Sequence, residues 1–267
     1  MKRFSRLFAT AAIASTLSWS AQAATLEATY LFDGSLLAEQ SGAPALTAID
    51  PLNLGQFTTA NVFGQMRTVY SFNGTPMAQG GLSVSTASMF NRTQFSVEMV
   101  FDFAGTNGFR RVIGTSNRTT DFGIYVDPND RLTTWTGVNN PGGVVADEGF
   151  THVTLTVSGN EVKTYVNGVL GRTANTNRLH INNADTLHFF LDNTSGLGGR
   201  GEYSGGSIAF LRLYDGALSA ADVASLAAGP LPPQGRALAP APVPLPGSLV
   251  LLGSSLIGTL MLRRRAS

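Results

Sequence analysis

The chain has 267 residues, of which 13% are charged and 30 are glycine, and it contains no cysteine. Disulfide frameworks and cysteine-based zinc sites are therefore excluded, and the sparse charge argues against long solvated helices. The two ends carry six of the eighteen basic residues. Without them twelve basic face seventeen acidic residues, a formal charge of −5 with Lys163 as sole lysine, and that excludes the clustered cations nucleic-acid binding requires.

The N-terminus reads MKRFSRLFATAAIASTLSWSAQA. Lys2, Arg3 and Arg6 form a basic start, Leu7 to Trp19 is mostly apolar, and Ala21 and Ala23 supply the small-x-small pattern cut by signal peptidase. About 13 apolar residues at roughly 1.5 Å each are too short to span a bilayer. Residues 1–23 thus predict a secretory signal.

Beyond it, alternation with period two dominates. In FSVEMVFDF, Phe95, Val97, Met99, Phe101 and Phe103 share one face, and Ser96, Glu98 and Asp102 share the other. HVTLTVSGNEVKTYVNG predicts a hairpin: Val153, Leu155 and Val157 alternate up to Gly159-Asn160, and Val162, Thr164 and Val166 follow before Asn167-Gly168. Further strands are expected over 26–32, 69–72, 111–115, 122–126, 132–136, 187–191 and 207–214, with VDPND a simple turn. A single helix stands out in LSAADVASLAAG, with Ser219 as N-cap, Asp222 three residues on and Gly229 as terminator. Ten or so short strands with one buried face each predict an all-β, two-sheet antiparallel sandwich or jelly roll over residues 24–229.

Chemistry is harder to find. GLGGRG, residues 196–201, has dinucleotide-loop spacing, yet the strand-like EYSGGSIAFLRLY follows where a helix is needed. Glu98 and Asp102 share a face, but four residues separate their backbones by about 13 Å, too far for a glycosidase pair. His152, His180 and His188 are scattered, and no G-x-S-x-G nominates a serine nucleophile. For carbohydrate, Trp135 and Tyr125 could offer aromatic faces, with the amide-rich TGVNNPGG beside them. For calcium, Asp192 and Asn193 in LDNTSG offer oxygen ligands at a strand end.

The C-terminus begins with PLPPQGRALAPAPVPLP, a proline-rich stretch whose residues 230–242 read as an extended linker. Gly247 to Leu262 carry no charge and lead into Arg263, Arg264 and Arg265, the order expected of a short membrane helix with its arginines in the cytosol. Sixteen residues cover only about 24 Å as helix.

Two resemblances follow from these residues. VPLP at Val243, Pro244, Leu245 and Pro246, a short apolar helix and a terminal RRR resemble the PEP-CTERM sorting signal of Gram-negative bacteria over residues 243–267, although Leu245 stands where that signal usually has glutamate. That resemblance implies exosortase as a processing partner and transient membrane anchoring. YLFDGS, FSVEMVFDF, RVIGTS, FTHVTLTVSGNEVKTYVNGVL and GSIAFLRLYDGALSAADVASL, in that order, resemble laminin G-like, concanavalin A-like jelly-roll modules, in which calcium is often held at a rim.

Together these readings imply an exported, non-enzymatic binding or adhesion module of the envelope, surface or extracellular matrix, with a glycan or protein ligand. A polysaccharide-active enzyme and a self-associating matrix protein are the rival readings. The sorting signal predicts that mass spectrometry of the mature protein from its native host finds no peptide from Gly247 onward; an intact tail in most molecules would contradict it.

Overall fold

A computed structural model describes residues 23–235, apart from 106, 137–138, 147–148 and 196–199. The rest of the predicted signal peptide, including Ala21, and the sorting signal with its helix and arginines lie outside the described residues; Ala23 is exposed at the domain's start. Among the described residues no helix is long and apolar enough to cross a membrane.

The chain forms β1 (Thr25–Tyr30), β2 (Thr47–Ile49), β3 (Gln56–Val62), β4 (Gln65–Phe72), β5 (Gly81–Ser85), β6 (Gln94–Phe103), β7 (Arg110–Gly114) and β8 (Gly123–Val126). It continues with β9 (Arg131–Trp135), β10 (Asn139–Val144), β11 (Thr151–Ser158), β12 (Glu161–Val166), β13 (Val169–Asn175), β14 (Thr186–Phe189), β15 (Gly206–Asp215) and α1 (Ala220–Ala228). An eight-stranded sheet runs β13-β12-β11-β6-β15-β4-β3, with β1 also on β15, and a seven-stranded sheet runs β10-β9-β8-β7-β14-β5-β2. Every pairing is antiparallel. This is the two-sheet sandwich that the alternation predicts.

Its main core lies between the sheets. Phe190 adopts φ of 64° just after β14 and stacks on Phe72 at 4.1 Å between ring centroids, with Phe101 at 5.4 Å and Phe103 at 5.7 Å. Phe95, Val97 and Met99 of β6, Val153, Leu155 and Val157 of β11, and Leu211 and Leu213 of β15 face inward as the alternation requires.

The opposite face of the large sheet departs from the expectation that it is solvated. Ser96 and Glu98 are buried, because α1 and the segment after it lie across β6, β11 and β15. Ser219 caps α1 through its hydroxyl, which accepts from Asp222 N, and the Asp222 carboxylate accepts from Ser219 N in return. Leu218 and Val223 then pack on Tyr165 and Tyr214. Gly168, at φ of 79°, permits close approach of the helix: a Cβ there would lie 2.9 Å from that of Ala227.

Residues 230–235, part of the stretch that composition assigns to the linker, are also held on the domain. Pro232 is buried. Gln234 Nε2 donates to the carbonyls of Leu31 (2.8 Å) and Thr68 (2.7 Å), its Oε1 accepts from Thr68 N (3.0 Å), and Gly235 N donates to Asp33 (3.1 Å). The described chain is thus held on the sandwich as far as Gly235, near Leu31 and Thr68.

Candidate functional site

The residues singled out for carbohydrate and those singled out for calcium meet on the outer face of the seven-stranded sheet. Arg111 on β7 joins them, at 1% exposure. A bulge between Arg111 and Ile113 in the β7–β8 pairing lets Arg111 point outward while Val112 and Ile113 both enter the core. Gly123 on β8 leaves room for the guanidinium, since a Cβ there would lie 3.1 Å from Arg111 Nη1.

A buried guanidinium needs acceptors on every side. Arg111 Nε faces Asp192 Oδ1 at 3.4 Å, Nη1 donates to Phe122 O at 3.3 Å, and Nη2 reaches Thr120 O, Asp121 Oδ1, Asn193 Oδ1 and the Tyr125 hydroxyl. The guanidinium also lies over the Tyr125 ring, 4.6 Å from its centroid. The Tyr125 hydroxyl donates in turn to Asp121. Two loops supply most of these partners: residues 115–122, and residues 190–205 between β14 and β15.

The described residues of the second loop are held by hydrogen bonds within it and to Arg118 and Gln79. Asp192 Oδ1 accepts from Asn193 N (2.8 Å) and Oδ2 from Glu202 N (3.0 Å), while Asn193 Nδ2 donates to Ser195 O (2.6 Å). Arg118 Nε donates to Asp192 O (2.7 Å) and its Nη2 to Gln79 Oε1 (2.8 Å), which also accepts from Asp192 N (2.9 Å).

Calcium does not fit Asp192 and Asn193. Both are buried, at 0% and 1% exposure, and both carboxylate oxygens of Asp192 already accept from backbone N–H groups. Arg111 occupies the side of the pair where a hard cation would seek oxygen ligands. Carboxylate oxygens of Asp121, Asp192 and Glu202 do approach within 4.8 Å of one another, but the positive charge they share is the guanidinium.

Beside this ionic centre lie the aromatics. Trp135, on β9, stands 5.9 Å from Phe109, which meets Tyr125 edge-on at 6.3 Å. Phe109, Tyr125, Trp135 and Glu202 line a shallow hollow of about 20 Å³, room for one hydroxyl-sized group. Tyr125 is buried in its floor, whereas Trp135 and Phe109 are half-exposed at its edge. Phe109, Arg111, Asp121 and Glu202 carry no motif in the sequence. The one available signal is an arginine pair opening the apolar run RRVIG.

Burial and the charges of Asp121 and Asp192 push the Glu202 carboxyl up to about 7, with Arg111 only partly offsetting them. His188, on the same sheet face, is held down at about 4 by burial and by Arg118 and Arg111. From pH 4.5 to 7 the folded protein retains a proton on Glu202 that the unfolded chain releases, so this group's contribution to stability declines as pH rises through that window. His188 acts in the opposite sense between pH 4 and 6.5, where the unfolded chain binds the proton first. Glu202→Gln is therefore expected to melt a few degrees above the wild type at pH 8 and level with it at pH 4 in thermal denaturation followed by circular dichroism.

Comparison with known proteins accords with this architecture. Residues 73–224 match the family model described as the concanavalin A-like lectin/glucanases superfamily, and residues 242–265 match the PEP-CTERM protein-sorting motif. No curated protein matches the sequence. Among solved structures, domain 4 of AbnA, a GH43 extracellular arabinanase from Geobacillus stearothermophilus in complex with arabinotriose, aligns at 21% identity and TM-score 0.57 over 77% of this chain and 100% of that one. The binding domain of botulinum neurotoxin DC in complex with rat synaptotagmin II aligns at 13% identity and TM-score 0.55, over 76% of this chain and 51% of that one. A botulinum neurotoxin type C structure, whose cell entry depends on two ganglioside molecules, aligns at 14% identity and TM-score 0.53 over 77% and 50%. The sorting motif marks the chain for export and sorting to the envelope of a Gram-negative bacterium. With more than half of its length matched by the family model, the chain belongs to the concanavalin A-like lectin/glucanases superfamily.

Proposed function

We propose that the protein is an exported carbohydrate-binding module that presents the Trp135–Phe109 edge and Glu202 to a surface or matrix glycan. The observation that carries this reading is the meeting of two half-exposed aromatic rings with a carboxyl group around a hydroxyl-sized hollow. Aromatic faces take the apolar C–H surface of a sugar, and a polar group beside them takes a hydroxyl. Trp135 stands on β9 and Phe109 just ahead of β7, with β8 between the two strands, and the ionic centre around Arg111 fixes the carboxyl, so little ordering is left to binding. Two of the similar structures, a domain in complex with arabinotriose and a neurotoxin whose cell entry depends on two ganglioside molecules, lend this reading support. Exosortase acts on the tail after export, and the chain is held by its C-terminus until that step.

One observation favours a second reading, a retaining glycosidase. Glu202 and Asp121 have oxygens within 4.8 Å, near the carboxylate separation of about 5 Å that such enzymes use, and Glu202 titrates near 7 as a general acid would. Among the described residues the hollow, at about 20 Å³, offers no cleft in which a scissile bond would lie between them. Binding is therefore the function proposed, and self-assembly into matrix is a third outcome of the same experiment.

The test is a glycan array probed with the purified protein, followed by titration of the sugars retained. Trp135→Ala is expected to weaken binding by at least about tenfold, the loss of roughly 1–2 kcal/mol of ring contact, with no reducing sugar released by the wild type. Turnover abolished in Glu202→Gln would establish the enzyme instead. Concentration-dependent assembly without glycan binding would establish the matrix protein.

A further inference from the structure

The hairpin of β3 and β4 closes through a two-residue turn, Phe63-Gly64, between the paired residues Val62 and Gln65. Both turn residues have positive φ, 50° and 84°. Such turns favour asparagine or aspartate ahead of glycine, and a bulky ring in that conformation is an outlier. The ring is 53% exposed, and Met66 beside it 69%. Asn61, opposite Met66 in the pairing, is exposed as well. From Gln56 to Met66 the hairpin carries no charge, although residues 24–246 together are acidic. A strained turn that presents an apolar ring to water in an uncharged setting points to a contact surface.

The tip lies beside the last described residues. Phe63 and Gln65 share a cavity of about 370 Å³ with Leu231 and Pro232, the space that α1 leaves over Glu98 and Arg212. Gln234 is bonded to Thr68, two residues from Met66 and so about 7 Å along the strand. Eleven residues, 236–246, separate Gly235 from the uncharged stretch that starts at Gly247. Fully extended they reach at most about 40 Å. A domain of this size is about 43 Å across, so bringing its far side to a bilayer that holds the uncharged stretch would take roughly 65 Å of chain. The surface within reach of that bilayer is therefore the half centred on Gly235, which includes the hairpin tip.

We propose that the β3–β4 tip docks on the lipid surface, with Phe63 and Met66 at the boundary of headgroups and acyl chains, while the tail is still attached. The proposal rests on the reading above in which the chain is held by its C-terminus until exosortase acts. A ring and a thioether at that boundary are withdrawn from water. The uncharged tip also meets no repulsion from anionic headgroups, unlike the acidic remainder of the domain. Two side chains are too little for stable anchoring by themselves, so the domain leaves the surface once the tail is cut.

The chain has no cysteine, so a single introduced thiol reports on the tip. Asn61→Cys, which leaves Phe63 and Met66 in place, is reconstituted with its tail intact into vesicles of phosphatidylethanolamine and phosphatidylglycerol and treated with a membrane-impermeant maleimide. Modification is expected to be about tenfold slower than in the same chain carrying Phe63→Ser and Met66→Ser, the docked fraction that burying two side chains sustains. Val169→Cys, on the opposite edge strand β13 and about 29 Å away across the sheet, is expected to react at the same rate with and without the serine pair. In a chain that resists alkaline carbonate, equal rates at position 61 with and without the serine pair, or equal slowing at position 169, would overturn the proposal alone. Release by carbonate would defeat the anchored tail and the proposal with it. Protection in host membranes but not in these vesicles would assign the tip to a protein partner and overturn the proposal.

Discussion

Burial of the Arg111 guanidinium constrains the whole outer face of the small sheet. A permanent charge at 1% exposure must be neutralised and hydrogen-bonded all round, and no single strand can do that. The chain meets most of that demand, leaving Nε only the charge of Asp192 at 3.4 Å, with a bulge that turns Arg111 outward, a glycine that clears space beside it, and two loops that fold their carbonyls and carboxylates onto it. The same arrangement fixes Glu202 next to Trp135 and Phe109. The proposed binding edge is thus a consequence of how one arginine is satisfied.

The large sheet solves a different problem on its outer face. The central strands β6, β11 and β15 are buried on both sides, and the second side is closed by a nine-residue helix and the segment through Gly235. A helix so short is not stable alone; its capping box and its packing on Tyr165 and Tyr214 hold it. Because the cover is small, it leaves a cavity over charged side chains. The sandwich consequently carries polar chemistry on two opposite faces, one at an aromatic edge and one beneath the helix, while the apolar layer between the sheets separates them.

Strands with a strongly apolar face were legible in the sequence. The FSVEMVFDF and THVTLTVS segments became the centre of the large sheet, and the SGNE and VNGV turns fell where glycine and asparagine place them, with Asn167 and Gly168 at φ of 49° and 79°. Most of the strands that escaped notice lack that signal, although GLSVS, with Leu82 and Val84 in the core, carries it in short form. QFTTANV and VLGRTAN pair at or near a sheet edge and leave most side chains in solvent, and NNPGGV reads as a loop because its proline and glycines suit only an edge strand. Alternation also misjudged Glu98: period two reports which residues oppose the core, not what covers the other face. The site was legible in halves. Trp135 and Tyr125 stood out as aromatics and Asp192 and Asn193 as oxygen donors, but they lie some sixty residues apart and are connected through Arg111, which reads as an ordinary strand residue, and through Glu202.

A double-mutant cycle on Arg111 and Asp192, read by chemical denaturation, tests the organising role of the guanidinium most directly. Arg111→Met and Asp192→Leu are each expected to cost about 3–5 kcal/mol, because each takes from the other its fully buried ion-pair partner. The double variant is expected to cost less than the two losses added together, by about 1–3 kcal/mol. Single losses below about 1 kcal/mol, or losses that simply add, would show that the face holds together without its arginine.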